Sequence, residues 1–231
     1  MTKNVYSLIE KYMISCMCDS AHDTEHVYRV LYHAMEIAKE EANVDYDVLI
    51  CASLLHDIGR KEEYETPNSC HAQIGAVKAE KFLVDNQFDK EFVDKVTHCI
   101  LCHRFRNNNI PQTIEAKILF DADKLDATGA IGIARTLVFH GRASEPLYSF
   151  DAEGKVSNGE NDSAPSFFKE YKYKLEKLYD KFYTKQGAKL AKLRQQAAVS
   201  YYENLLSEVS EAYEQGNDEL QKHIKDFESL L

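Results

Sequence analysis

The sequence lacks any apolar run of membrane-spanning length, and its N-terminus has no basic region followed by a hydrophobic stretch. These absences exclude the usual patterns of a transmembrane helix and of a secretory signal. The sequence therefore predicts a cytoplasmic protein with no membrane partner.

The sequence also has fewer basic than acidic residues. It contains 28 Lys and Arg and 38 Asp and Glu, which gives a formal net charge of −10. A protein that binds DNA or RNA without sequence preference needs a basic face. We therefore expect no nucleic-acid polymer as a partner. A small anionic substrate remains compatible with this charge, because a metal ion and a few nearby cations can reverse the field inside one pocket.

Proline and glycine are few, at four and nine of 231 residues, and no long alternating strand pattern is present. The chain is therefore predicted to be nearly all-α. With 44% hydrophobic residues, it is long enough for one large domain or for a domain with an appendage. Six cysteines, at positions 16, 18, 51, 70, 99 and 102, are predicted to be free thiols in a reducing compartment.

Apolar residues spaced three and four apart predict a series of helices. Their approximate ranges are 4–19, 22–42, 46–57, 70–86, 90–105, 114–125 and 127–139. Residues 60–69 are polar and contain Pro67, so a loop is predicted there.

The expected domain organisation has three parts: a core over 1–140, a loop over 141–165 and a C-terminal helical hairpin over 166–231. The hairpin is expected to turn near Gly187 and to pack on the core. The loop is rich in Gly, Ser, Asn and Asp, which predicts a mobile segment near the pocket rim that closes over substrate.

The apolar run from Val48 to Leu55 ends in an imidazole and a carboxylate, those of His56 and Asp57. A buried charge needs a partner, and a metal ion satisfies both groups together. Gly59 fits the position after the end of a helix, where glycine adopts a positive φ with little steric strain. The alternative is an interior histidine hydrogen-bonded to its neighbouring aspartate. The His-Asp dipeptide alone does not decide between this interpretation and a metal site.

Two further residues complete a candidate metal site. His26 lies in the preceding predicted helix, and Asp123 lies in a later one, close to Asp121 and Asp126. Two imidazoles and two carboxylates suit a divalent cation such as Mn²⁺, Fe²⁺, Co²⁺, Ni²⁺ or Zn²⁺. Such an ion lowers the pKa of a bound water and leaves positions open for substrate oxygens.

These residues stand in motifs that resemble the HD-domain superfamily of metal-dependent phosphohydrolases, in particular a bacterial stand-alone subgroup of similar size. The motifs are His-Asp-x-x-His-x-x-Arg-Val at 22–30, Leu-Leu-His-Asp-Ile-Gly at 54–59, His71-x-x-x-Gly75-Ala76 and Asp-Ala-Asp-Lys-Leu-Asp-Ala at 121–127. The resemblance implies an all-α HD core with helices on both sides of the metal. It also selects Asp123, rather than Asp121, as the fourth ligand.

We expect one divalent ion, with Mn or Mg first and Fe, Co, Ni or Zn as alternatives. Its expected ligands are His26, His56, Asp57 and Asp123. Asp57, His71 and His103 are expected to be catalytic, because both histidines lie at helix ends beside polar turns and can hold or protonate a phosphate. The alternative is that His71 and His103 bind a second metal ion.

The resemblance further implies hydrolysis of a phosphate ester or anhydride in a small nucleotide. Nucleoside or deoxynucleoside phosphates are the first substrates to expect, including release of pyrophosphate from a triphosphate. The alternatives are a cyclic-nucleotide or dinucleotide phosphodiesterase, and a non-catalytic HD-like sensor or scaffold. Substrate phosphates are expected to contact four basic residues: Arg60, Lys61, Arg104 and Lys124. A homodimer is also compatible with the sequence.

Overall fold

A computed structural model describes residues 1–17, 24–66, 69–104 and 109–224 of the chain. Its helices are α1 (Lys3–Cys16), α2 (Thr24–Ala38), α3 (Tyr46–Leu55), α4 (Arg60–Glu65), α5 (His71–Asp85), α6 (Lys90–Cys102), α7 (Ile114–Leu125), α8 (Gly129–Arg142), α9 (Phe167–Tyr173) and α10 (Lys185–His223). The described residues contain no β-strand, only an isolated antiparallel bridge between Phe150 and Val156. The all-α fold is therefore confirmed. No helix in these described ranges is long and apolar enough to cross a membrane.

Several helices begin at a side chain that caps their first backbone N–H groups. Asp45 accepts hydrogen bonds from the first turn of α3, Asp89 from that of α6, and Thr113 from that of α7. The bounds of α7 are those that the sequence predicts. The start of the first motif, at 22–23, lies outside the described residues.

The prediction of a loop over 60–69 is wrong for the first half of that range, because these residues form α4. Arg60 donates to Glu63 at 3.1 Å, and such an i,i+3 ion pair supports a short helix.

The positive φ predicted for Gly59 is also wrong, since its φ is −94°. A Cβ on Gly59 would lie 2.3 Å from the backbone oxygen of His71 and 2.6 Å from the backbone nitrogen of Gly75. Glycine is needed here because α5 passes so close.

The chain forms two compact units, and the first comprises Met1–Ala127 and Asp180–Lys192. Within it α3 packs against α2, α6 and α7, and α5 packs against α6. Six apolar side chains of α3 are fully buried: Val48, Leu49, Cys51, Ala52, Leu54 and Leu55. This central position explains why α3 is apolar on nearly all sides. It also places His56 and Asp57, which follow α3, inside the unit.

The C-terminal region differs from the predicted hairpin in its first arm. Helix α9 ends at Tyr173 and is followed by a short 3₁₀ turn, Leu175–Lys177. The connection occupies 178–184, and α10 then runs as one helix of 39 residues. Gly187 therefore lies inside α10 and not in a turn.

A buried carboxylate explains where α10 begins. Asp121 of α7 accepts the backbone N–H groups of Tyr183 at 2.9 Å and Thr184 at 2.6 Å. The Thr184 hydroxyl in turn accepts the N–H of Gly187 at 3.0 Å, as an N-cap does. A Cβ on Gly187 would lie 2.8 Å from Asp121 Oδ2, so this glycine permits close approach. Because Asp121 is far from Thr184 in sequence, local periodicity does not reveal this contact.

The second unit comprises Thr128–Tyr179 and Leu193–Leu231. Aromatic rings join α9 to α10 there, since Tyr171 stacks on Tyr202 at a centroid distance of 4.1 Å and Phe168 lies 5.3 Å from the same ring.

Between α8 and α9, the Asp162 carboxylate accepts hydrogen bonds from the hydroxyls of Ser149 and Ser157. Residues 141–165 thus include a turn with defined hydrogen bonds. The bounds of the two units differ from the predicted domain bounds, because α8 groups with the C-terminal helices and Asp180–Lys192 with the first unit.

Candidate metal centre

Six side chains from five places in the first unit point toward one another. They are His26 of α2, His56 and Asp57 after α3, His71 at the start of α5, His103 at the end of α6 and Asp123 in the last turn of α7. The four histidines and Asp57 are buried, whereas Asp123 keeps 26% of its side chain exposed. Asp123 is therefore the member of the cluster that solvent reaches most.

The four predicted metal ligands form the first part of this cluster. His26 Nε2 lies 3.4 Å from His56 Nε2, from Asp123 Oδ1 and from Asp57 Oδ2. His56 Nε2 lies 3.9 Å from Asp123 Oδ1 and 3.8 Å from Asp57 Oδ2. Donors bound about 2.1 Å from one ion stand roughly 3.0–3.4 Å apart at octahedral and tetrahedral angles. The observed separations are therefore close to those of a metal site.

The hydrogen bonds of the two imidazoles set which nitrogen faces the centre. His26 Nδ1 donates to Asp126 Oδ2 at 2.7 Å, and His56 Nδ1 donates to the backbone oxygen of Ser53 at 2.8 Å. A neutral imidazole that donates through Nδ1 has an unprotonated Nε2. Burial lowers the pKa of His56 to about 4, so this ring is neutral at neutral pH. The Nε2 atom of His56 thus presents a lone pair toward His26.

A buried oxygen of Asp57 tests whether these residues fit a cation. No hydrogen bond from the described residues reaches Oδ2 of Asp57, although an unpaired buried acceptor is costly. Burial raises the pKa of this carboxyl, but Arg60 and His56 outweigh that effect and hold it well below its usual range. An ionised oxygen without a hydrogen-bond donor, 3.4 Å from His26 Nε2 and 3.8 Å from His56 Nε2, fits a divalent metal ion.

The remaining side chains form a second group on the other oxygen of Asp57. Asp57 Oδ1 lies 3.3 Å from His71 Nε2 and 3.7 Å from His103 Nε2, and the two nitrogens lie 3.1 Å apart. His71 Nδ1 donates to Glu63 at 2.8 Å, and His103 Nδ1 donates to the backbone oxygen of Ile100 at 2.6 Å. Asp57 thus connects two groups of donors.

Two residues that orient the histidines were not singled out in the sequence. Asp126, which holds His26, is itself held by Arg29, with Nε–Oδ1 at 2.7 Å and Nη2–Oδ2 at 3.0 Å. Glu63, which holds His71, lies on α4, where a loop was predicted. Partners of this kind fix the ring orientation of metal-binding histidines. The acidic residues at 121–126 and the His-x-x-Arg spacing at 26–29 were available signals for Asp126.

The four basic residues predicted to contact phosphate have different surroundings. Arg60 donates to Asp57 Oδ1 at 3.0 Å, and Arg104 pairs with Glu63. Lys124 Nζ lies 4.0 Å above the ring of Phe120, and burial lowers its pKa to about 8. Lys61 is exposed. Arg60 therefore contacts a carboxylate of the cluster directly, whereas Arg104 contacts Glu63, the residue that holds His71. Phosphate contact by all four basic residues stays a prediction.

Comparison with known proteins identifies relatives that cover most of the chain. Residues 24–128 match the family model described as HD domain. The protein YpgQ of Bacillus subtilis (strain 168) is 31% identical over 194 residues, which cover 82% of this chain and 85% of that protein. The crystal structure of B. subtilis YpgQ in complex with ADP is similar with a TM-score of 0.68 and 28% identity, covering 88% of this chain and 97% of that chain. An HD-superfamily hydrolase from Bacillus thuringiensis is similar with a TM-score of 0.67 and 27% identity, covering 89% and 97%.

Proposed function

The chain belongs to the HD domain family and is a metal-dependent hydrolase, and we propose that it hydrolyses a phosphate ester or anhydride in a small nucleotide. The observation that carries this proposal is the cluster of two imidazoles and two carboxylates, with donor separations suited to one ion. The ADP complex of YpgQ supports a nucleotide as the substrate class. Within that class, nucleoside and deoxynucleoside phosphates are the first candidates, including triphosphates that release pyrophosphate.

We assign the four predicted metal ligands, His26, His56, Asp57 and Asp123, to one divalent ion. Mn and Mg are the ions that we expect before any other. A bound ion of this kind polarises phosphoryl oxygens and lowers the pKa of a coordinated water. Oxygen and imidazole donors together are compatible with Mn, Fe, Co, Ni and Zn as well.

His71 and His103 are proposed to face the substrate phosphate. Burial lowers the pKa of His71 to about 4, so this ring is neutral at neutral pH and can accept a proton or a hydrogen bond through one ring nitrogen. A second metal ion is the alternative, favoured by one observation: the two oxygens of Asp57 face the two groups separately. Arg60, Lys61, Arg104 and Lys124 are proposed to hold the phosphates as charged donors.

A screen of purified protein against nucleotides with Mn²⁺, Mg²⁺, Co²⁺ and Ni²⁺ tests this proposal. We expect release of phosphate or pyrophosphate, loss of that activity in Asp57→Ala, and an unchanged far-UV circular dichroism spectrum. Asp85→Ala, which removes an exposed carboxylate from the end of α5, is the matched control and should retain activity. Activity that survives in Asp57→Ala would contradict the assignment.

The products of the same screen separate the other candidate functions. Cleavage of cyclic nucleotides or dinucleotides to monophosphates would indicate a phosphodiesterase. Stoichiometric metal binding without turnover of any nucleotide would indicate a sensor or scaffold. A cytoplasmic location and a homodimer remain part of the proposal.

A further inference from the structure

An exposed tyrosine lies on the segment that leads into α10. Tyr183 keeps 39% of its surface exposed, whereas the next residue, Thr184, is buried. Asp121 of α7 holds both residues, because its carboxylate accepts the backbone N–H of Tyr183 at 2.9 Å and that of Thr184 at 2.6 Å. The first unit therefore presents the ring of Tyr183 to solvent from a backbone that is held in place.

The ring of Tyr183 lies on the side of α7 that continues toward the metal centre. It packs edge-to-face on Phe120, with the two ring centroids 4.9 Å apart. Because a helix turns by about 100° per residue, Phe120 and Lys124 project from α7 between the carboxylates of Asp121 and Asp123. The ammonium group of Lys124 accordingly lies 4.0 Å above the ring of Phe120. Asp123, Lys124 and Tyr183 thus follow one another across one surface of the first unit.

The order of these three residues matches the order of the chemical groups in a nucleotide. Asp123 belongs to the cluster proposed to bind a metal ion and phosphate, and Lys124 adds a positive charge beside it. The face of an aromatic ring carries partial negative charge and does not attract a phosphate. Every nucleobase, by contrast, has a flat π-face that can stack on such a ring. The ring of Tyr183, beyond Lys124, therefore suits the nucleoside part of a substrate.

The aromatic ring is the part of Tyr183 that this surface offers to a ligand. Within the described part of the chain, no hydrogen bond reaches its hydroxyl. We propose that the ring of Tyr183 stacks on the nucleobase of the substrate, while the phosphates lie at the metal centre and at Lys124. This proposal rests on the proposed function, to which it adds a binding site for the base.

Isothermal titration calorimetry of the full-length protein with Mn²⁺ tests the proposal, with ADP and inorganic pyrophosphate as the two probes. Both probes carry a diphosphate, but only ADP carries a nucleoside. Tyr183→Ala should raise the dissociation constant of ADP by about 5–150-fold, the range expected for the loss of one stack between a base and an aromatic ring. The same variant should bind pyrophosphate as the wild type does, because no contact with phosphate is lost.

Three further variants separate stacking from general effects of the substitution. Tyr183→Phe retains the ring and should retain the ADP affinity of the wild type. Tyr183→Leu keeps an apolar contact with Phe120 but has no aromatic ring, so it should lose ADP affinity as Tyr183→Ala does. Tyr32→Ala is the matched control, because Tyr32 is 64% exposed and stacks on Tyr28 on the solvent side of α2. It should leave the affinities for both probes unchanged.

Two results would overturn the proposal and leave the proposed function intact. One is an unchanged ADP affinity in Tyr183→Ala, because the ring would then make no contact with the nucleoside. The other is an equal loss of affinity for ADP and pyrophosphate, because the substitution would then act on the phosphate site or the metal centre. A wild-type protein that binds neither probe would contradict the proposed function itself, and the stacking proposal with it.

Discussion

Replacing Gly59 by alanine should distort the metal centre by displacing α5, although Gly59 is not itself a residue of the cluster. The added Cβ would lie 2.3 Å from the backbone oxygen of His71 and 2.6 Å from the backbone nitrogen of Gly75. Carbon and oxygen atoms in contact normally stand about 3.5 Å apart, so α5 must move by roughly 1 Å. Backbone cannot rotate away as a flexible side chain does. Overpacking of this kind typically destabilises a protein by about 1–3 kcal/mol.

The same displacement should change the centre, because α5 begins with His71. Its Nε2 lies 3.3 Å from Asp57 Oδ1 and 3.1 Å from His103 Nε2. A shift of roughly 1 Å would move His71 away from Asp57 and His103, whereas the side chains of a functional site must be held within about 0.5 Å of their productive positions. We therefore expect Gly59→Ala to lower hydrolase activity by a larger factor than its loss of stability alone would cause. Activity should be measured at a temperature where the variant is still fully folded.

Gly75→Ala is the matched control on the other side of the same contact. A Cβ there would have its nearest neighbours at 3.4 to 3.6 Å, close to ordinary contact, and alanine is favoured over glycine in a helix by up to about 1 kcal/mol. Urea unfolding followed by circular dichroism should show Gly59→Ala destabilised and Gly75→Ala unchanged or slightly stabilised. Equal stability and activity of the two variants would refute the close approach of α5.

Three further predictions concern the centre and the loop. Asp126→Asn should weaken Mn²⁺ binding by about 10–100-fold, as loss of a partner to a metal-binding histidine usually does; unchanged affinity in a manganese titration would show that Asp126 does not orient His26. His103→Ala should lower turnover and leave one ion per chain by metal analysis, whereas two ions in the wild type and one in the variant would favour the two-metal alternative. Limited proteolysis should cut first within 141–165, and ADP should slow that cut if the segment closes over substrate; equal cleavage rates would leave a plain linker.

Local pattern was sufficient for the helices that carry the centre. The bounds of α7 follow from its apolar spacing, because this signal lies within the helix that it defines. The continuous apolar character of α3 likewise predicts its burial, which the structure has. The motifs containing His26, His56, Asp57 and Asp123 were readable without a structure, since each stands beside a recognisable helix signal. Ligation by these residues is a prediction that the metal analysis must test.

Tertiary structure alone decided the contacts between distant residues. Gly59 and Gly187 both looked like turn glycines, yet each is required because another part of the chain approaches within van der Waals contact. A glycine in sequence does not reveal whether it serves backbone conformation or space, because the second role depends on residues that are remote in the chain. The start of α10 depends in the same way on Asp121, and the orientation of His71 on Glu63. Sequence periodicity determines which face of a helix is buried; only packing determines what that face meets.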